Sequence, residues 1–188
     1  MSIRRLDGAV RARMTAAGSW RRGCPTSLDD LRLLTVSFWG FDDQAHTGLL
    51  VVHHDAANAI ATAMRALFRA RFPIRRMGPV ESYGASDDRS MAADNTSAFN
   101  CRPVEGTGVW SQHAYGRAID INPRENPEVA GDRVLPPEGR AFVDRARRHR
   151  GMIRPDGIVV RAFASVGWSW GGGWISLKDY QHFSANGT

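Results

Sequence analysis

The sequence predicts an α+β domain, and three observations carry that prediction. Two β-rich runs face each other across a turn, one amphipathic stretch follows them, and the second half breaks into short segments divided by Gly and Pro. Residues 30–39 (D-L-R-L-L-T-V-S-F-W) and 47–53 (T-G-L-L-V-V-H) read as strands, and G-F-D-D-Q between them supplies the turn of a hairpin. Asp55 is placed to cap the next helix. There Ile60, Met64, Leu67 and Phe68 recur at i, i+4, i+7 and i+8 as one apolar face, until Pro73 stops it. A short strand over 74–80 leads into a polar loop, 82–110, and loops of that length are usually functional or disordered. Residues 117–121 read as a central strand, and 123–137, with four Pro, as a surface excursion. Two short helices follow near 138–149 and 155–166, each with Pro at or just before its start and Gly just after its end. Residues 168–170 and 180–184 return to an antiparallel sheet.

Composition bounds the class. With 188 residues the chain can bury most of its unfolded surface as a single domain, 1–188. Hydrophobic residues at 43% and charged ones at 23% are ordinary for a globular protein and exclude a disordered chain. No apolar run approaches the roughly 20 residues that span a bilayer, so no membrane span is expected.

Two short segments carry the chemistry. S-Q-H-A-Y-G-R-A-I-D, Ser111 to Asp120, and D-Y-Q-H-F, Asp179 to Phe183, offer His113, Asp120 and His182 as three metal ligands. Three protein ligands leave the fourth tetrahedral position of Zn²⁺ open for water, which separates a catalytic site from a structural one. Asp179 stands three residues before His182, a spacing that brings both groups to one side, and a free carboxylate there can take a proton from that water. Gly116 and Ala118 are small enough to let ligands crowd a metal. W-S-W-G-G-G-W, Trp168 to Trp174, leads into the second segment as a candidate aromatic wall. His46, His53, His54 and His149 stand in no comparable frame and read as ordinary hydrogen-bonded residues.

At these residues the chain resembles the zinc D-alanyl-D-alanine carboxypeptidase and L-alanyl-D-glutamate peptidase family, the VanY-like group of lysostaphin/hedgehog-type metallopeptidases. The family's S-x-H-x-x-G-x-A-x-D is met at Ser111, His113, Gly116, Ala118 and Asp120, and its later acid-x-x-His at Asp179 and His182. The run from Trp170 to Phe183, W-G-G-x-W-x-x-x-x-D-x-x-H-F, looks more like the L-alanyl-D-glutamate branch, since the carboxypeptidases usually carry Glu followed by Trp-His. The resemblance spans residues 75–184, the zinc peptidase core. It implies a small antiparallel sheet carrying the zinc site with helices at its flanks. It also implies one catalytic Zn²⁺ on His113, Asp120 and His182, with Asp179 as general base and then general acid. Ser111, Trp170 and Trp174 would contact substrate. The family's oxyanion-stabilising Arg lies in a Tyr-Arg-Ser-type loop, and Arg89-Ser90 is the matching pair, although G-A-S-D-D separates Tyr83 from Arg89. Arg102 and Arg117 are the substitutes.

The implied activity is hydrolysis of the peptidoglycan stem peptide, of the L-Ala-D-Glu endopeptidase type, with D-Ala-D-Ala carboxypeptidase as the alternative within the class. From another class comes a non-catalytic zinc-bearing wall-binding module, against which the free carboxylate of Asp179 speaks. The 24 Arg and single Lys concentrate in a basic N-terminal segment, 1–24, with six Arg against one Asp, and in 138–161, with seven Arg against three acids. Such clusters suit an anionic wall polymer or a solvated face. No nucleic-acid-binding motif accompanies them, so nucleic acid is not an expected partner. Cys24 and Cys101 either form a disulfide, as in an exported protein, or stay as two reduced thiols; the reading leans to the bridge. The N-terminal residues show no signal-peptide core, whereas a wall substrate calls for an extracellular or cell-wall location. Export by phage lysis or through a leader outside this chain would reconcile the two, and a cytoplasmic role in peptide metabolism stays open.

Overall fold

The computed structural model describes residues 1–188, and its architecture is α+β with small, mostly antiparallel sheets. In chain order the elements are β1 (Ser2–Arg5), α1 (Gly8–Ala17), β2 (Leu31–Trp39), β3 (Ala45–His53), α2 (Ala57–Arg69), β4 (Arg76–Met77), α3 (Asp87–Ala92) and β5 (Asn95–Thr96). They continue with β6 (Ala118–Asp120), β7 (Glu128–Ala130), β8 (Arg133–Leu135), α4 (Ile158–Ala164), β9 (Ser169–Trp170), β10 (Lys178–Asp179) and β11 (His182–Ser184). Strands β1-β2-β3 form one antiparallel sheet, β10-β7-β8 a second and β6-β11-β9 a third, while β4 and β5 pair in parallel. No helix is long and apolar enough to cross a membrane.

The β2–β3 hairpin is the scaffold, paired from Leu31↔His53 to Trp39↔Ala45. Helix α2 lays Ile60, Met64 and Leu67 on it, and these side chains join Leu34, Val36, Leu50, Ile119, Phe163 and Phe183 in one buried cluster. Burying each such side chain contributes about 1.5–3 kcal/mol. The core therefore ties the hairpin to the short strands that carry the two sequence motifs. Asp55 does not cap α2. Ala56 holds the cap position without a side-chain bond, because Asp55 is drawn to His53 and Arg117 instead.

Several expected elements are shorter or fall elsewhere. Loop 82–110 holds α3, whose N-cap Ser86 accepts from the Arg89 N–H at 3.2 Å, with Asp87 and Asp88 in the first turn. The helix expected over 138–149 is only a 3-10 turn, Pro137–Phe142. Arg145 takes over its hydrogen bonding, donating to Glu125 O at 2.8 Å, Ile153 O at 2.6 Å and Asn126 Oδ1 at 3.1 Å. The Pro-rich stretch 123–137 is no surface excursion. Glu125 and Asn126 are buried, and Asn126 donates to the Ile121, Asn122 and Gly151 carbonyls while accepting from Ile153 N–H at 2.6 Å.

The basic N-terminal segment is folded. Val10 and Met14 of α1 pack with Leu6, Leu31, Leu33, Val51 and Phe99, and a Cys24–Cys101 disulfide fastens this layer to the segment before the first motif. In both Arg-rich stretches many guanidinium groups are paired within the fold, as in Arg11–Asp29 and Arg147–Asp144.

One buried acid pair has a measurable consequence. Asp94 and Glu125 are both almost fully buried and share Arg75, whose nitrogens lie 3.5 Å from Asp94 Oδ2 and 3.4 Å from Glu125 Oε1. Burial, with Asp94 alongside, pushes Glu125 up to about 8 from its ordinary 4.5. A carboxyl that holds its proton more tightly when folded costs nothing below its unfolded pKa, and its cost grows as pH rises towards the folded value. Glu125→Gln, which imitates the protonated acid, should therefore stabilise the fold by about 1–3 kcal/mol at pH 8 and by much less at pH 4.5. Urea unfolding of both proteins at the two pH values checks this; parallel pH trends would refute it.

Candidate metal centre

Each of the three candidate ligand residues is positioned by local backbone chemistry. His113 lies in a 3-10 turn, Gln112–Tyr115, whose cap Ser111 accepts the His113 N–H at 3.3 Å. Gly116 closes the turn at φ 66°, where its missing side chain lets the backbone press on β3; a Cβ there would sit 2.6 Å from His53 N. Asp120 ends β6 and His182 opens β11 directly opposite it. The Asp120 main chain is bound on its other side by Ser97, through N–H···O contacts of 2.9 and 3.1 Å.

The donor atoms converge. His113 Nε2 is 3.2 Å from His182 Nδ1 and 3.1 Å from Asp120 Oδ2, and His182 Nδ1 is 3.1 Å from Asp120 Oδ1. All three residues are buried, and the set could hold a metal ion. The far nitrogen of each ring is committed to a main-chain oxygen, His113 Nδ1 to Ala98 at 2.5 Å and His182 Nε2 to Thr188 at 3.3 Å. The carbonyls only accept, so the outward nitrogens donate and the inward ones are those a metal would take. Burial works against ionisation of Asp120, yet the adjacent imidazoles outweigh it and hold the carboxyl well below its usual range. Burial likewise disfavours a charged His113, and Asp120 overcomes this and raises it. Two imidazoles and a carboxylate with converging lone pairs are the donor set zinc prefers.

Asp179 lies on β10, paired with Glu128 of β7, and lines the same cleft. Its Oδ1 is shielded from solvent and has no hydrogen-bond partner. Burial pushes it up to about 8; His182 opposes the shift while Asp120 and Glu128 add to it. Gly171 allows this approach, since a Cβ would meet Asp179 O at 2.7 Å. The cleft measures about 1110 Å³ and is lined among others by Met91, Arg102, Glu128, Arg133, Trp174 and Gln181.

The remaining sequence-predicted residues divide. Ser111 and Trp174 line the cleft, and the Trp174 ring lies 5.4 Å from that of His182. Trp170 is outside the lining: its indole N–H donates to Tyr180 O at 2.9 Å, and its ring packs along Phe183 and Tyr180. Arg89 is also outside, because its guanidinium donates to the Tyr83 and Gly84 carbonyls of its own loop. Arg117 turns away to Asp55 at 2.7 Å. Arg102 is the substitute that reaches the cleft; it pairs with Asp87 at 2.6 Å and keeps a buried Nε without a partner. Glu128 escaped the sequence reading. Its one visible sign was the alternation of E-V-A before R-V-L around Gly131, a hairpin pattern masked by the neighbouring Pro residues.

No curated protein and no solved structure matches the chain. Residues 105–185 match the family described as D-alanyl-D-alanine carboxypeptidase, and this match, over the stretch that holds every ligand and Asp179, supports the VanY-like peptidase family implied by the two motifs.

Proposed function

We propose that the protein is a zinc-dependent peptidase that cuts the peptidoglycan stem peptide at L-Ala-D-Glu. The observation that carries the reading is the convergence of His113, Asp120 and His182 in the cleft that Asp179 also lines, with its Oδ1 shielded and unpartnered. A bound zinc ion supplies a Lewis acid and lowers the pKa of water. His113 and His182 bind with rings already oriented by Ala98 and Thr188. Asp179 takes the proton of the attacking water and returns it to the departing amine. Arg102 faces the charge that develops on the carbonyl oxygen, the part first assigned to Arg89. Ser111 holds the His113 turn, and Trp174 covers the flank of His182.

The cleft volume supports an extended peptide, being larger than most small-molecule sites of about 300–1,000 Å³. Arg102 and Arg133 in the lining favour a second reading, a carboxypeptidase that holds a free carboxylate. Anionic wall polymer on the unpaired surface Arg would add adsorption without chemistry, and the working location is then the cell wall. Digestion of purified peptidoglycan followed by mass spectrometry separates the readings. The endopeptidase should expose new D-Glu amino termini, and the carboxypeptidase should release free D-Ala. Unchanged stem peptides in the presence of zinc would overturn both and leave a binding module.

A further inference from the structure

A second group of metal-ligating side chains lies outside the cleft. Asp30 precedes β2, His53 ends β3 and His54 follows it, and one ligand atom from each lies within 4.8 Å of the others. The hairpin register sets this up: Leu31 pairs with His53, and His54 N–H donates to Asp30 O at 2.7 Å. The two imidazole rings stand 4.4 Å apart. Asp30 is intermediate in exposure, His53 buried and His54 exposed, so the group is anchored on one side and reachable from solvent on the other.

The surroundings prepare the group for a cation. Asp55 Oδ1 lies 2.6 Å from His53 Nδ1. A carboxylate only accepts, so Nδ1 carries the proton and Nε2 is the nitrogen left for a ligand. A carboxylate behind an imidazole in this way fixes the ring and raises its basicity towards a metal. Asp55 is itself clamped by Arg117, with Nη2 at 2.7 Å and Nε at 3.2 Å. Ser27 Oγ–H donates to Asp30 Oδ2 at 2.8 Å and so orients that carboxylate. The group therefore offers a carboxylate and two imidazoles.

We propose that Asp30, His53 and His54 form a second site for a borderline divalent metal such as Zn²⁺, separate from the cleft and structural in effect. Two imidazoles and one carboxylate select such a metal over Mg²⁺ or Ca²⁺, which take oxygen ligands. An ion there joins the start of β2 to the end of β3. It also firms the first motif from behind, because His53 N–H donates to Gly116 O at 2.9 Å and Arg117 belongs to the same motif. None of the three ligands lines the cleft, so an ion there touches no reacting group.

Counting zinc per chain tests this apart from the catalytic reading. The full chain is stripped with a chelator, dialysed against zinc and measured by elemental analysis, together with turnover of a soluble stem peptide. Two zinc ions per chain are expected in the wild type, one in His54→Ala with turnover kept, one in His182→Ala with turnover lost, and none in the double variant. His54 is exposed, so its replacement threatens folding little, and the near-isosteric Asp30→Asn should give the same single equivalent. A wild type with one zinc that persists in both His54→Ala and Asp30→Asn would overturn the second site and leave the first standing. Zinc lost from His54→Ala but not from His182→Ala would remove the catalytic centre and leave this one.

Discussion

Asp179→Ala is expected to keep its zinc and lose about 10²- to 10⁴-fold in kcat, the usual worth of a positioned proton transfer. The carboxylate makes no hydrogen bond to His113, Asp120 or His182, and the far nitrogens of both His rings are already held by main-chain oxygens. Removing it therefore leaves the ligands oriented. The rival role, orienting a ligand, predicts something else: zinc affinity would fall and excess zinc would restore the rate. Asp179→Asn sharpens the comparison, since it keeps the shape of the side chain and removes only its capacity to accept the proton. Recovery of turnover in Asp179→Ala on adding zinc would decide for the rival role. Unpartnered and shielded, Asp179 Oδ1 costs the fold free energy, on the order of 1–3 kcal/mol for an unsatisfied buried group. The same replacement should therefore raise stability while abolishing turnover, a combination that an orienting residue would not give.

What could be read from the sequence follows the range of the forces involved. The β2–β3 hairpin and α2 were legible because a long period-2 or 3.6-residue pattern faces a single core. The convergence of His113, Asp120 and His182 was legible because the motif spacing encodes a turn, a strand end and the strand opposite. The N-terminal layer was not. In α1 only Val10 and Met14 face inward, and among the Arg residues around them 1–24 shows as a basic segment and not as a packed helix. Long-range polar bonding hid the rest. Asn126 and Arg145 organise the stretch from 121 to 153 through main-chain carbonyls, and no periodicity announces such contacts. Arg89 illustrates the limit of a local motif. Its neighbours match the expected pair, yet the five residues after Tyr83 let its guanidinium fold back on its own loop, while Arg102, thirteen positions on, fills the place beside the cleft.

His182→Ala and His113→Ala should each bind one zinc fewer per chain than the wild type and fall to background turnover. Three ligands are the minimum set of a catalytic zinc site, so loss of one leaves two protein donors and water in place of a tuned Lewis acid. The geometry makes the two losses unequal in their side effects. His182 pairs with Asp120 across the β6–β11 register and with Thr188 at the chain's last residue, so its truncation frees the Thr188 contact and one partner of the Asp120 carboxylate. His113 truncation frees the Ala98 carbonyl, and Asp120 loses the imidazole that does most to hold it ionised. Without zinc, His113→Ala should therefore lower stability more than His182→Ala, by about 1–3 kcal/mol, because Asp120 keeps its charge in a site that no longer compensates it. In the wild type a chelator should abolish activity, and zinc should restore it. Wild-type zinc content in either variant, with activity lost, would mean that the metal lies elsewhere and that the convergence of these three side chains is only a buried ion-pair network.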